Sequence, residues 1–297
     1  MVKSILFIDG PEALDSETCG NKAYALYKLF REAAVKVPEA FTVTWPALHK
    51  VFYEAERDLY TLQQPPDSII EEIRNKVLDV DLAALPITQE IKGALNRIAS
   101  NNSKVVARSS SSSEDSGKAA FPGVFESICI EAVPTRVLDA IRRVYASRLS
   151  TRAITYARAL RARRGVQLDL IQPMAVLVQR YVKSQLGGVV FTVDPTGGPH
   201  GRVEIALGGA ERIVKGELPN LSMSLSLELG IEPKDKERLT SLVGSAELAK
   251  SFQAGLMSAV AQTMKSLGEA LDIEWVWDGT EVWIVQARPI TRISKRA

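Results

Sequence analysis

The stretch LDIEWVWDGTEVWIVQARPI, residues 271–290, sets two apolar runs on either side of Asp278-Gly279, the signature of a β-hairpin. Glu274, Gln286 and Arg288 are the polar residues that interrupt these runs. Loop length decides which faces they take. A loop of Asp278-Gly279 alone pairs Glu274 with Trp283 and sends Gln286 to the opposite face. A three-residue loop with Gly279 at the left-handed bulge position changes the parity. Glu274 then shares a face with Val282, Ile284, Gln286 and Arg288, while Trp275 and Trp283 turn away. The second register is the expected one, because a carboxylate, an amide oxygen and a guanidinium side by side can hold a magnesium ion and a polyphosphate. The alternative is a plain Glu274–Arg288 ion pair on a half-exposed sheet.

A second unusual stretch lies upstream. VVARSSSSSEDSGKAAFPGVFES, residues 105–127, places five consecutive serines behind Arg108. Hydroxyls, small residues that let backbone N–H groups approach closely, and a guanidinium are materials for holding phosphate. A flexible linker is the other reading. Against it, Val105 and Val106 form a strand that runs straight into Arg108. Lys22 follows Gly20 and Asn21 at a helix start, where N–H groups and the helix dipole favour anions, although a lone lysine is more often simply solvated. Gln179 interrupts the apolar strand VLVQRYV, and LGGAERIVKGELPN, residues 207–220, is a Gly-rich turn carrying Glu211 and Lys215. His49 and His200 have no metal or triad partner at a recognisable spacing and read as surface residues.

Bulk properties narrow the classes. The 297 residues are 46% hydrophobic and 24% charged, values of an ordinary globular chain, and a net charge of +2 points to neither nucleic acid nor membrane. Two cysteines, Cys19 and Cys129, cannot build a disulfide framework or a thiolate metal site. No apolar run reaches the roughly 20 residues that span a bilayer, and the opening MVKSILFIDGPEALD does not read as a signal peptide. A cytoplasmic protein is expected.

Helical spacing is expected over residues 20–36, across most of 47–100 with Asp67 or Ser68 as a cap after Pro65-Pro66, along one basic helix at 135–164, and over 233–268. Strands are expected at VPEAFTVTWPAL, SKVVARSS, FESICIEAV, MAVLVQRYV, GGVVFTVDP and RVEIALGG, besides the terminal hairpin. The class is therefore α+β with mixed or antiparallel sheets. Two lobes are expected, residues 1–183 and 184–297, the second carrying the metal site.

These segments occur in an order that resembles the N-terminal ATP-binding domain of the phosphoenolpyruvate synthase, pyruvate phosphate dikinase and rifampicin phosphotransferase family. The resemblance implies a two-lobed ATP-grasp fold with a nucleotide cleft between the lobes, and ATP and Mg²⁺ as cofactors. CGNKA is similar to the family's Gly-Gly-Lys-Gly element, which implies that Lys22 meets the nucleotide phosphates. ARSSSSSEDSGKAAFPGVFES resembles the family's phosphate loop, with Arg108 as a ligand and Gly123 and Ser127 over the triphosphate. VLVQRYV resembles the strand lining the adenine pocket, hence Gln179. DIEWVWDG and VWIVQARPIT are the nearest in wording, and imply Glu274 and Gln286 for magnesium and Arg288 for the transferring phosphoryl group.

The chain also departs from the family's wording. Asn21 and Ala23 stand where the first element has glycines, Val193 precedes Asp194-Pro195, and LGGAER replaces Gly-Leu-Gly-Glu. The family's Gly-Gly-x-x-(Cys/Ser)-His element is missing. The resemblance therefore implies an ATP-dependent phosphotransferase subunit that passes phosphoryl to a histidine on a partner swivelling domain, and thence, through an acceptor domain, to pyruvate, a phenol or another small molecule, as in phenylphosphate synthase. A direct small-molecule kinase, a nucleotide-sensing subunit and an ATP-grasp ligase are the rival readings.

Overall fold

The computed structural model describes residues 3–62, 65–100, 102–113, 124–164, 171–194, 200–209, 218–226, 230–231 and 233–290. The chain divides into two compact units, Met1–Tyr24 with Glu39–Tyr181, and Ala25–Pro38 with Val182–Ala297. Residues 25–38, which the sequence reading kept with the first lobe, group with the second unit. No helix among the described residues is long and apolar enough to cross a membrane.

The first unit is built on five strands: β1 (Ile5–Phe7), β2 (Ala40–Val43), β3 (Lys104–Ser110), β4 (Ser127–Glu131) and β5 (Ala175–Arg180). Their order is β1-β2-β5-β3-β4, and every pairing is antiparallel. Successive strand residues point to opposite faces. Phe41, Val43, Val105, Ala107, Val176 and Val178 take one face and join a single buried core with the helices. Those helices are α2 (Trp45–Thr61), α3 (Asp67–Asp79), α4 (Ile87–Ile98) and α5 (Pro134–Ala146), whereas α1 (Ser16–Glu32) carries the division between the units at Tyr24. Phe52, Ile73, Val77, Leu95 and Ile141 are among their contributions to that core. The opposite face carries Thr42, Arg108, Ser127, Leu177 and Gln179 by register.

Two local expectations fail here for identifiable reasons. Pro66, rather than Asp67 or Ser68, occupies the cap of α3, and Asp67 sits in the first turn, 2.6 Å from Arg158. The long basic helix is two helices, α5 and α6 (Thr151–Arg164), separated by a 3₁₀ turn at Ser147–Leu149. Ser147 Oγ donates to the Val144 carbonyl at 2.6 Å and accepts from the Glu126 N–H at 3.2 Å, while Ser150 Oγ accepts from the Ala153 N–H at the new helix start. Side chains that bind nearby backbone in this way compete with continuous helix. The turn also carries Arg148 inward to a buried Glu56, with side chains 1% and 0% exposed. Tyr145 and Tyr60 hydroxyls donate to the same carboxylate at 3.2 and 3.0 Å. Burial, reinforced by the Glu56 charge, pushes the Tyr60 hydroxyl up to about 12.

The second unit is a six-stranded sheet of β6 (Leu186–Phe191), β7 (Gly201–Leu207), β8 (Leu221–Ser226), β9 (Gly230–Ile231), β10 (Leu271–Trp277) and β11 (Val282–Pro289), in the order β11-β10-β6-β7-β8-β9. These pairings are again antiparallel, and an isolated Lys36–Trp283 bridge is the parallel exception among the described residues. Of the expected mixed or antiparallel sheets, both are antiparallel. The helical region is α7 (Pro233–Val243) and α8 (Ala246–Leu267), divided at Gly244, whose φ of 101° suits glycine. Phe252 of α8 packs on Trp275 and Trp277, with ring centroids 5.2 and 5.5 Å apart. That face is apolar, and α8 closes it.

The turn between β10 and β11 is pinned by one side chain. Asp278 Oδ1 accepts from the N–H groups of Thr280 and Glu281, and Oδ2 accepts from the Trp283 indole N–H at 2.8 Å. Burial alone raises its pKa, but these donors outweigh that and hold the carboxyl down at about 2, against an ordinary 3.8.

Two predictions follow from the packing. Glu56→Gln leaves the buried Arg148 cation without its anion and is expected to cost about 3–5 kcal/mol, whereas Glu56→Leu with Arg148→Met recovers most of that loss. Urea midpoints of the three proteins check it. The Asp278 carboxylate stabilises the fold in full above pH 4 or so, and its contribution fades as pH falls through about 2. Asp278→Asn should therefore lower Tm near neutrality and flatten the Tm profile between about pH 4 and 2.

Candidate functional site

In the first unit the chemistry gathers where α1 meets the end of β3. Helix α1 is broken at Gly20, whose φ of 75° and ψ of 165° lie outside helical values. A Cβ at this position would stand 2.1 Å from the Ser110 carbonyl oxygen, so only glycine lets the two backbones touch. Around that contact the serines are bound at several points. Ser110 Oγ donates to the Cys19 carbonyl at 2.7 Å and accepts from the Ala23 N–H at 3.2 Å. The Asn21 N–H donates to the Ser111 carbonyl, and its side-chain amide donates to the Ser112 carbonyl at 2.8 Å. Lys22 is 8% exposed, and its Nζ donates to the Ser109 carbonyl at 3.1 Å and to Ser109 Oγ at 3.2 Å.

Ser109, Ser110 and Ser111 are accordingly buried, with β3 continuing through the first two. The linker reading does not hold for this part of the run. The structure brings Lys22 to the serines, as polar groups of one cluster. Arg108 lies on the strand face opposite the helical core, and its Nη1 donates to Gln179 Oε1 at 3.4 Å. Ser127 is the direct cross-strand partner of Arg108 on β4, so Arg108, Ser127 and Gln179 share that face. Gly123 lies outside the described residues, as do Glu211 and Lys215. Asn21 was read from sequence only as a missing glycine. Its amide role became visible once Ser112 was brought across from position 112 to position 21.

In the second unit Glu274 faces Gln286 directly across the hairpin, and both are nearly buried, 9% and 5% exposed. Asp272 faces Arg288 in the same way. The expected loop is corrected: Trp277 pairs with Val282, which leaves four residues, Asp278 to Glu281, in the turn, and the irregularity falls at Val285, between the Glu274–Gln286 and Trp275–Ile284 pairs. An even-numbered loop would set Gln286 on the wrong face, and the extra residue on β11 restores it. Acid, amide and guanidinium share a face, but Val282 and Ile284 do not join them, because they lie opposite Trp277 and Trp275. Trp283, opposite Val276, is on the Glu274 face rather than beside Trp275.

Arg288 does not pair with Glu274 either. Its Nε and Nη2 both lie 2.8 Å from Asp272 Oδ2, a two-point contact to a carboxylate the sequence reading passed over. The signal was present: Asp272 stands two residues before Glu274, hence on the same side of the strand. The face continues onto neighbouring strands through Val189 and Glu204, the latter 3.8 Å from Arg202. Among the described residues no cluster of three or more His, Cys, Asp or Glu forms a self-sufficient metal cage. An acid and an amide oxygen suit a cation that brings phosphate oxygens and water as its remaining ligands, and the arginine suits those phosphate oxygens.

Gly20→Ala tests the contact in the first unit. The left-handed φ and the collision with the Ser110 carbonyl should together cost about 2–4 kcal/mol, read as a lowered urea midpoint with exposure of the serine segment to proteolysis.

Comparison with known proteins bears on what such faces serve. The chain is 28% identical to the rifampicin phosphotransferase of Streptomyces sviceus, over 92% of this chain and 34% of that protein. It is 26% identical to the prodigiosin synthesizing transferase PigC of Serratia marcescens, over 98% of this chain and 33% of that one. A probable phosphoenolpyruvate synthase of Archaeoglobus fulgidus is 27% identical over 98% of the chain and 42% of its own length. The chain thus spans between a third and about two fifths of these relatives. Residues 16–297 match the domain family described as pyruvate phosphate dikinase, AMP/ATP-binding domain. With nearly the whole chain covered, including both polar faces, the protein belongs to the pyruvate phosphate dikinase AMP/ATP-binding domain family.

Proposed function

We propose that this chain is the ATP-binding, phosphoryl-transferring part of a dikinase-type phosphotransferase, with an ATP-grasp fold. The observation that carries the reading is the face of β10 and β11, where Glu274, Gln286 and Arg288 stand together within a domain whose family binds AMP and ATP. Phosphoryl transfer asks little covalent chemistry of a protein and much positioning and charge neutralisation. Arg288, already oriented by Asp272, offers a guanidinium fork to the transferring phosphoryl group. Glu274 and Gln286 are the residues that would hold Mg²⁺, which neutralises phosphate charge when bound. In the first unit Lys22, Arg108 and Ser127, with Gly123, are assigned to the nucleotide phosphates, and the largely buried Gln179 to the adenine. The phosphoryl acceptor in this reading is a histidine nitrogen on a swivelling domain, which hands the group to a small molecule bound by an acceptor domain. The relatives' greater length leaves room for both.

The test uses labelled ATP, Mg²⁺ and a histidine-bearing domain taken from a relative. Label is expected on the histidine, and Arg288→Ala or Glu274→Ala should cut its rate by about 10²–10³-fold. Unchanged rates in both variants would remove the site assignment. Label passing to a small acceptor with no second protein present would favour a direct kinase instead.

A further inference from the structure

We propose that Gln172 is a positioning residue for the serine segment, tying it to the buried Arg148–Glu56 pair and so setting phosphate affinity from outside the nucleotide's own contacts. The inference rests on the reading of Lys22 and the serines as phosphate-binding. Gln172 is 5% exposed and lies just before β5. Its side-chain oxygen accepts a hydrogen bond from the Ser113 hydroxyl. Its backbone carbonyl accepts from Arg148 Nη1 at 3.3 Å. Arg148 cannot shift easily to follow it. The guanidinium is bound to Glu56 and to the Tyr145 hydroxyl at 2.9 Å, and lies over the rings of Trp45 and Tyr145, 5.3 and 4.5 Å from their centroids.

The last three serines of the segment are therefore gripped from two parts of the chain. Asn21 holds the carbonyls of Ser111 and Ser112. Gln172 holds Ser113, whose hydroxyl is also 3.0 Å from Ser111 Oγ. Lys22 bonds to Ser109 at the head of the same segment, so displacement of the serines moves the groups around the lysine's ammonium. Gln172 is 5% exposed, so breaking its bond to Ser113 carries a desolvation cost that favours the bonded arrangement. Phosphates should feel this restraint, and a bare nucleoside should not.

The experiment is calorimetric titration of the full chain with Mg-ATP and, separately, with adenosine, for the wild type, Gln172→Leu, Ser113→Ala and the double variant. Each single change is expected to weaken ATP binding about tenfold and to leave adenosine affinity unaltered. The double variant should lose less than the product of the two single losses, because the bond joining the two side chains is counted in both. Unchanged ATP affinity in the single variants, equal losses for ATP and adenosine, or multiplying losses in the double variant would overturn the inference while leaving the site reading intact. A wild-type chain that binds neither ligand would overturn the site reading itself, and this inference with it. Ser113→Ala removes one hydroxyl from a segment held by several other bonds, so it reports even if Gln172→Leu does not fold.

Discussion

Strands turn alternate side chains to opposite faces, and in each unit one of those faces belongs to an apolar core packed with helices. Once Val105, Ala107, Val176 and Val178 are committed to the helical core, Arg108 and Gln179 must point the other way. Once Trp275 is committed to Phe252 of α8, Glu274 must do likewise. Burying the apolar set is the larger free-energy term, at roughly 1.5–3 kcal/mol for each large side chain. The polar set is carried into place by it. Neither candidate face needs a driving force of its own.

That constraint has a consequence for the terminal hairpin. An ungapped pairing across the four-residue turn from Asp278 to Glu281 would place Gln286 and Arg288 on the tryptophan side. The extra residue at Val285 reverses the parity for the distal half of β11 alone. The half nearest the turn keeps Ile284 and Val282 against Trp275 and Trp277, where they pack. One bulge thus lets a single strand serve the core near its turn and the candidate site near its end. Bulges recur beside active sites for this reason.

The first unit reaches a similar division by other means. Its serine run is too polar to join the core, yet three of its members are buried. They bond to Cys19, Asn21, Lys22 and Ala23 across a glycine that permits contact. Behind them lies the Arg148–Glu56 pair, two charges removed from water whose mutual bonds and aromatic neighbours offset part of the desolvation. A break in the basic helix at Ser147–Leu149 is what brings that arginine inward. Local bonds from Ser147 and Ser150 interrupt the helix, and the interruption lets tertiary burial take Arg148.

By itself the sequence determined the α+β class, the family likeness, the residues worth watching, and the strands other than β1, β8 and β9. Each of these depends on period, on motif order or on turn chemistry, which are local. Lys22, Arg108, Gln179, Glu274, Gln286 and Arg288 could all be singled out in this way. The partners of those residues were settled only by the tertiary structure. Asp272 rather than Glu274 takes Arg288, because the Val285 bulge sets which residues face each other, and nothing in the strand's composition marks a bulge. Ser109 takes Lys22, and Glu56 takes Arg148, across separations of 87 and 92 residues. Pairings at such range are chosen by the packing of whole elements, and a linear pattern carries no record of that choice.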